Sequence, residues 1–571
     1  MPIDNVTLIF VELALGMVLA VIAGSVARFF RQPLILAYIA TGILVSLLGV
    51  FRLGEKEVLP LLASFGVVFL LFLVGLELRI TDIKTVGKTA AIVGLGQLIL
   101  TFVAGFVLVK ILGFTNIQSV YIGLALTFSS TIIVIKLLSE KKDLNSLYGK
   151  IAIGILLVQD IAAIVSLIFL SGFQSPAQAI TVQTFGLILA KGLVVLFVAL
   201  ALNKFILPAT FTYTANSPEL LLITALSWCF IFASFTKLIG FSLEIGAFTA
   251  GVTLASSPYH LAISSKVKPM RDFFTVVFFI FLGTSMILSQ MVKLIIPVLI
   301  LSSFIIFVTP IIVLAIMGFL GHRKRTSFLT SIALAQISEF SLILVALGVK
   351  LGHIGPEIIS MVAAIGIITI AVSSYLIINS NWLYQKAAKF LDIFERRTIR
   401  EGKRVGGKDL KNHILLIGAE QVGRDLLPYL QKKVDNPKNI IIVDFNPEII
   451  ENLTADGFNA IYGDISDFEL LEELNLAGAK LIISTVPDLL DNIMLIKSAN
   501  QAGYTGPIIA TAYWAAEAAK LYEAGADFVL VPELAGGDKV IRILSEFWQD
   551  LDNLKAGKNK FFQELMEKTK K

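Results

Sequence analysis

The sequence predicts an α-helical polytopic membrane domain of about thirteen spans followed by an α/β domain, and three observations carry that expectation. The 571-residue chain is 56% hydrophobic and only 16% charged, with a mean hydropathy of +0.84. That is too apolar for a soluble protein of this size. Up to about Leu383, apolar runs of roughly 17–28 residues follow one another with short polar breaks. From about Lys386 onward charges are frequent, and apolar runs shrink to roughly 5–7 residues. The expected division is a membrane domain over 1–385, a linker over 386–411, an α/β domain over 412–535 and a helical tail over 536–571.

Spans are expected to begin near residues 7, 33, 57, 85, 115, 147, 180, 217, 240, 268, 291, 324 and 354, the eighth and ninth being tightly linked through Gly240. Alternate connections are basic: Arg28/Arg31, Arg79/Lys84/Lys88, Lys141/Lys142/Lys150, Lys266/Lys268/Arg271, and His322-Arg323-Lys324-Arg325. The opposite set is poor in charge, as in Ser171-Gly-Phe-Gln-Ser-Pro-Ala-Gln. By the positive-inside rule the basic set is cytoplasmic, which puts the N-terminus outside and the α/β domain inside. An odd number of spans requires the same arrangement. Met1-Pro-Ile-Asp-Asn has neither a basic stretch nor a small-residue cleavage site, so no removable signal peptide is expected. Cys229 is the single cysteine, which excludes intramolecular disulfides and cysteine-based metal sites. The net charge of +5 arises largely from basic connections and implies no nucleic-acid partner.

Within the twenty apolar residues from Ile151 to Leu170 stands the pair Gln159-Asp160. As a helix this stretch crosses a bilayer and leaves Asp160 near mid-depth. An ionised aspartate there costs about 2.5–3.5 kcal/mol on insertion scales, so such residues mark ion or proton pathways. The alternative is a protonated carboxyl that hydrogen-bonds a neighbouring helix.

Three further runs stand out. The fifth span places Thr127, Ser129, Ser130 and Thr131 at mid-membrane, where hydroxyls can satisfy an unwound backbone or ligate a hard cation. Ordinary packing through small residues is the competing reading. The twelfth span carries a second mid-membrane acid, Glu339, beside Gln336 and Ser338, with either a structural or an ion-handling role. The run from Ser242 to Ala255 gathers Gly246, Ala247, Ala250 and Gly251, which suits close helix contact, and Glu244 lies near its end, within reach of water.

Leu71-Phe-Leu-Val-Gly-Leu-Glu-Leu, the Thr127–Thr131 run, Gln159-Asp160, Gly246-Ala-Phe-Thr-Ala-Gly-Val, Phe278-Phe-Ile-Phe-Leu-Gly and Ser338-Glu-Phe occur in the order and spacing of one family. The chain resembles the monovalent cation:proton antiporter-2 family, and within it the Kef-type potassium/proton antiporters. The resemblance implies a NhaA-like fold with inverted repeats, in which the fifth and twelfth spans are broken helices that cross beside the carboxylate. It implies a homodimer in which a six-helix core moves against a scaffold. Glu339 and Thr131 would then support the crossing, where facing half-helix dipoles need compensation. Asp160 would bind either a proton or a dehydrated potassium ion, with Gln159, Ser130 and Thr127 as neutral oxygen ligands. Relatives with two adjacent acids at this position can be electrogenic; here Gln159 replaces the first, which favours one-for-one exchange. Glutathione-responsive Kef proteins carry an acidic loop ahead of the tenth span, whereas His260-Leu-Ala-Ile-Ser-Ser-Lys-Val-Lys-Pro-Met-Arg is basic, so glutathione control is not expected.

After the basic linker, six short apolar runs beginning at His413, Asn439, Ala460, Lys480, Pro507 and Asp527 read as buried parallel strands separated by helices. This is a doubly wound, Rossmann-like domain. Gly418-Ala-Glu-Gln-Val-Gly423 keeps the outer glycines of the dinucleotide fingerprint, with Glu420 in place of the middle one. Asp444, twenty-one residues after Gly423, sits where a ribose-binding acid belongs. The order is similar to that of potassium-conductance regulator domains, which implies that Asp464 also falls in the nucleotide cleft. A charge at position 420 opposes a pyrophosphate, so AMP or a similar adenine nucleotide is expected as regulator before NAD(H). The alternative is a regulatory scaffold that binds no nucleotide.

The expected activity is potassium/proton antiport across a prokaryotic inner membrane, with sodium/proton antiport as the nearest alternative. A ligand-gated potassium channel could use the same regulator, but no Thr-Val-Gly-Tyr-Gly-like filter occurs. An enzyme is not expected, because the α/β part has no second substrate domain and the fold alone confers no catalysis.

Overall fold

The computed structural model describes residues 5–30, 32–48, 58–77, 87–141, 143–144, 146–172, 182–205, 207–214, 217–255, 257–286, 288–394, 411–420, 422–465 and 468–548. Arg31, Arg79, Lys84, Lys142, the charge-poor connection after Gly172, the linker over 396–410 and the tail beyond Trp548 lie outside the described residues. The chain forms two compact units, Met1–Arg396 and Arg397–Lys571.

The first unit is helical among its described residues. It begins with α1 (Asn5–Phe29), α2 (Leu34–Leu47), α3 (Val58–Glu77) and α4 (Lys88–Ile111). The fifth expected span is two helices, α5 (Asn116–Ala125) and α6 (Thr131–Glu140), with five non-helical residues between them. Helices α7 (Leu147–Ser171), α8 (Val182–Phe205), the short α9 (Leu207–Thr214), α10 (Pro218–Ile239), α11 (Leu243–Ala255) and α12 (His260–Thr284) follow. Then come α13 (Leu288–Ser303), a π-helical turn Phe304–Val308 and α14 (Thr309–Phe319). The twelfth expected span is again two helices, α15 (Lys324–Ala333) and α16 (Glu339–Lys350), before α17 (Pro356–Ile378) and α18 (Ser380–Leu391).

Among the described residues, six continuous helical segments are long and apolar enough to cross a membrane, including α4, α7, α10 and α17; α2, α3 and α11 are shorter apolar helices. Local chemistry sets several boundaries. Ser146 and Ser217 accept backbone N–H bonds as N-caps of α7 and α10. Gly240, at φ +97°, closes α10 and turns the chain at once into α11. The tenth expected span starts earlier than its apolar run: α12 begins at His260, so Lys266, Lys268 and Arg271 are helical residues and not a loop. Pro269 is carried inside that helix.

Two helix pairs approach at backbone contact through reciprocal glycines. A Cβ on Gly42 of α2 would overlap the Ile280 carbonyl of α12, and one on Gly283 would overlap the Ile39 carbonyl. Gly75 of α3 and Gly251 of α11 stand in the same reciprocal relation, through the Phe248 and Phe72 carbonyls. Only glycine permits these distances.

The second unit is a six-stranded parallel sheet: β1 (His413–Ile417), β2 (Ile440–Asp444), β3 (Asn459–Tyr462), β4 (Ala479–Ser484), β5 (Ile508–Thr511) and β6 (Phe528–Leu530). Its strand order is β3-β2-β1-β4-β5-β6. Helices α19 (Val422–Gln431), α20 (Pro447–Ala455), α21 (Phe468–Glu473), α22 (Leu489–Gln501) and α23 (Ala515–Ala524) alternate with the strands, and α24 (Pro532–Phe547) follows. Both faces of β1 and β2 are buried, as continuous Ile/Leu/Val runs require. The order reverses between β1 and β4, the position at which doubly wound sheets open a cleft.

Candidate functional site: two interrupted helices around Asp160

Each interruption frees backbone groups at a depth without water, and every such group must find a partner. The two breaks solve this in part through each other. The Ser129 hydroxyl donates to the Leu334 carbonyl at 2.9 Å, and the Ser341 hydroxyl to the Ala125 carbonyl at 2.6 Å. The C-terminal ends of α15 and α5, where carbonyls are exposed, thus receive hydroxyl donors. The opposite ends receive acids. Glu339 is the first residue of α16, and the Thr131 hydroxyl, at the first residue of α6, donates to Asp160 Oδ2 at 2.9 Å. A carboxyl at a helix N-terminus opposes the partial positive charge there.

Ser130 and Thr131 are neighbours in sequence but give their hydroxyls to different acids. Ser130 donates to Glu339 Oε2 at 2.8 Å while its Oγ accepts the Ile133 N–H at 3.4 Å. Ser338 donates to the same Glu339 oxygen at 3.4 Å. The first turn of α6 therefore joins the two acids, and both are buried. Helix α7, which carries Asp160, packs against α4, α6, α15 and α16.

Gln159 is turned toward the first break. Its Oε1 accepts the Ser129 N–H at 2.9 Å, and its Nε2 donates to Gln97 Oε1 at 2.7 Å. Gln97, on α4, donates to the Thr127 carbonyl and to the Thr101 hydroxyl, each at 3.1 Å. The Thr127 hydroxyl turns back to the Leu124 carbonyl at 2.7 Å. Of the sequence candidates, Asp160, Thr131, Ser130 and Glu339 are thus joined directly, Gln159 through Ser129, and Thr127 through its carbonyl. Gln97, Thr101 and Ser341 were not singled out from the sequence. The signal for Gln97 was an amide alone in an apolar span, Leu95-Gly-Gln-Leu-Ile.

A cavity of about 440 Å³ lies between α3, α11 and α12 on one side and α7, α16 and α17 on the other. Ile164 and Ile343 line it, each four residues beyond an acid, so the cavity lies one helical turn from Asp160 and from Glu339. Glu244 and Lys350, paired at 3.5 Å, also line it.

In the α/β unit Gly418 adopts φ +81° directly after β1, and a Cβ on Gly423 would overlap the Gly418 carbonyl. Asp444, buried at the end of β2, accepts the Ala419 N–H through Oδ2 and the Asn446 N–H through Oδ1, both at 2.8 Å. Gly463 donates to the Asp444 carbonyl at 3.0 Å, which brings the buried Asp464 to the same strand ends. Glu420 is exposed at the turn. All four cleft candidates gather at the carboxyl ends of β1, β2 and β3.

Residues 17–378 match the family described as sodium/hydrogen exchanger, transmembrane, and residues 414–532 match the TrkA-N domain. The chain is 26% identical to the putative cation/proton antiporter YbaL of Escherichia coli (strain K12), over 91% of this chain and 94% of that one. It is 30% identical to K(+) efflux antiporter 3, chloroplastic, of Arabidopsis thaliana, over 80% of this chain and 62% of that one. Among solved structures, the sodium proton antiporter MjNhaP1 from Methanocaldococcus jannaschii is matched over 68% of this chain and 100% of its own, at 18% identity and a TM-score of 0.51. That likeness shows a membrane antiporter fold.

Proposed function

This chain belongs to the sodium/hydrogen exchanger family, and on that premise we propose that it exchanges potassium for protons at Asp160, one for one. The observation that carries the proposal is the buried Asp160 carboxyl at the start of α6, held by Thr131 where the two interrupted helices meet. A carboxylate that takes either a proton or a dehydrated cation, but not both, couples the two flows by competition. Asp160 supplies the charge. The Thr131 and Ser130 hydroxyl oxygens, whose protons are directed to the acids, keep lone pairs for a cation. Glu339, tied by Ser130 and Ser338, supports the crossing. With Gln159 in place of a second adjacent acid, one group titrates and one charge moves each way.

Potassium is put first because the plant relative is named for potassium efflux. Sodium is the competing cation. The proposed setting is a prokaryotic inner membrane, with the N-terminus outside and the α/β unit in the cytoplasm, as the basic connections favour. A homodimer is proposed from the family resemblance, and chemical cross-linking in membranes tests it.

The α/β unit is proposed as a regulator that takes AMP or a similar adenine nucleotide at Gly418, Gly423, Asp444 and Asp464. The buried acid at the end of β2 and the tight glycine turn support a ribose and one phosphate there. The exposed Glu420 argues against a diphosphate. Calorimetry on the purified protein is expected to show AMP binding more tightly than NAD or NADH, and weaker after Asp444→Ala; tighter NAD would refute the argument from Glu420.

Proteoliposomes challenged with potassium, sodium or rubidium against an imposed pH gradient test the transport reading. Cation-dependent proton movement in the opposite direction is expected, largest with potassium. Cation flux without a counter-moving proton would mean a channel and end the proposal.

A further inference from the structure

We propose that Gln97 is a positioning residue for exchange, because it decides which way Gln159 is turned beside Asp160. The proposal rests on the reading of Asp160 as the exchange site. Gln97 lies near the middle of α4 and is fully buried, as is Gln159. Four groups form one chain of hydrogen bonds. The Ser129 N–H donates to Gln159 Oε1 at 2.9 Å, Gln159 Nε2 to Gln97 Oε1 at 2.7 Å, and Gln97 Nε2 to the Thr127 carbonyl at 3.1 Å.

The two orientations of a glutamine amide are ordinarily hard to tell apart. Here both ends are backbone groups with fixed roles. The Ser129 N–H can only donate, and the Thr127 carbonyl can only accept. Reversing Gln97 alone sets two acceptors face to face at Thr127 and two donors face to face at Gln159. Reversing both amides moves the second clash to Ser129. The chain therefore runs in one direction, and it closes a ring across the first break, starting and ending two residues apart.

The consequence concerns the cation. The Gln159 carbonyl points into the break and holds Ser129, so Gln159 acts as a brace for the open backbone. With the Gln159 carbonyl on Ser129 and the Thr127 hydroxyl turned back to Leu124, the oxygens offered to a cation are those of Asp160, Ser130 and Thr131. They stand in place of the Gln159 and Thr127 oxygens expected from the sequence, and their spacing depends on how Thr127 and Ser129 are held. Removing the polar end of Gln97 frees Gln159 to turn and loosens the start of α6, where Ser130 and Thr131 sit.

The test compares wild type, Gln97→Met and Gln97→Glu in proteoliposomes, with the half-saturating potassium concentration and the thermal midpoint measured across pH. Absence of exchange in wild type would overturn the reading of Asp160, whatever Gln97 does. Given exchange, Gln97→Met keeps the length of the side chain but loses all three bonds, to Gln159, Thr127 and Thr101. Its half-saturation is expected to rise about ten-fold, since buried groups lose their partners. Gln97→Glu separates direction from bulk. A protonated carboxyl can donate to Thr127 and accept from Gln159, whereas a carboxylate can only accept. Gln97→Glu is therefore expected to approach wild type at acid pH. Wild-type half-saturation in Gln97→Met, or equal damage in Gln97→Glu at the most acid pH, overturns the proposal. Should Gln97→Met fail to fold, half-saturation in Gln97→Glu that climbs with pH supports it, and a profile parallel to wild type overturns it.

Discussion

Ser130 on the first interrupted helix donates its hydroxyl to Glu339 on the second, at 2.8 Å, across 209 residues of sequence. A double-mutant cycle with Ser130→Ala and Glu339→Gln measures what this bond is worth. Coupling of about 0.6 kcal/mol is expected, the average that such cycles give for hydrogen bonds between membrane helices. Coupling near zero in thermal unfolding would mean that the acid holds its place without the serine.

Asp160→Asn removes the only charge proposed to alternate between proton and cation. Exchange is expected to fall to the level of empty proteoliposomes, with the melting temperature equal to or above wild type, because a costly buried acid has been replaced by an amide. Wild-type-like exchange in this variant would sink the assignment.

One titrating acid implies that no net charge crosses per cycle. Currents on a solid-supported membrane at saturating potassium are expected to be absent or very small. A large steady current that disappears in Glu339→Gln would show that Glu339 titrates as well.

The glycine crossings predict a sharp positional pattern. Gly251→Ala and Gly283→Ala place a methyl group against a carbonyl of the neighbouring helix. Each is expected to destabilise by about 1–3 kcal/mol, the usual cost of overpacking. Gly192 of α8 has nothing within 4 Å of a Cβ, so Gly192→Ala is expected to be neutral or stabilising. Equal thermal midpoints for all three would contradict the packing described.

His413, buried at the start of β1, gives the α/β unit a pH dependence. Burial holds its imidazole below the ordinary value of 6.5, against a smaller opposing effect of the Leu474 backbone. The folded unit therefore binds fewer protons than the unfolded chain just below that pH. The stability that the neutral ring contributes is present above 6.5 and is lost as pH falls toward the folded value, by at most about 1.4 kcal/mol per pH unit. His413→Leu is expected to flatten this limb in hydrogen-exchange measurements on the full chain. An unchanged slope would assign it to other groups.

Much of this was legible in the chain. Asp160 and Glu339 announce themselves as lone acids in apolar runs, and the strands of the second unit as Ile/Leu/Val runs between turns. The positions of the helix breaks came from the resemblance, because hydropathy cannot distinguish a continuous span from an interrupted one. Gln97 leaves little trace in the sequence because two of its three partners lie 30 and 62 residues away and the third, Thr101, makes an ordinary contact one helical turn on. The start of α12 is hidden in the sequence because Lys266, Lys268, Pro269 and Arg271 resemble a loop, although a helix that extends past the hydrocarbon can carry all four. Neither the π-helical turn at Phe304–Val308 nor the short α9 leaves a signature in hydropathy.

The mutual satisfaction of the two breaks also bears on the order in which the chain is made. Ala125, Ser129 and Ser130 leave the ribosome more than 200 residues ahead of Ser341, Leu334 and Glu339, to which they are bonded in the finished protein. An unsatisfied backbone group in lipid costs several kcal/mol, so the early break cannot wait bare in the bilayer. Gln97 is already synthesised, and Gln159 follows within 30 residues of Ser129. These two amides can tie Thr127 and Ser129 long before the second break emerges, while the carbonyl of Ala125 and the hydroxyls of Ser129 and Ser130 await it.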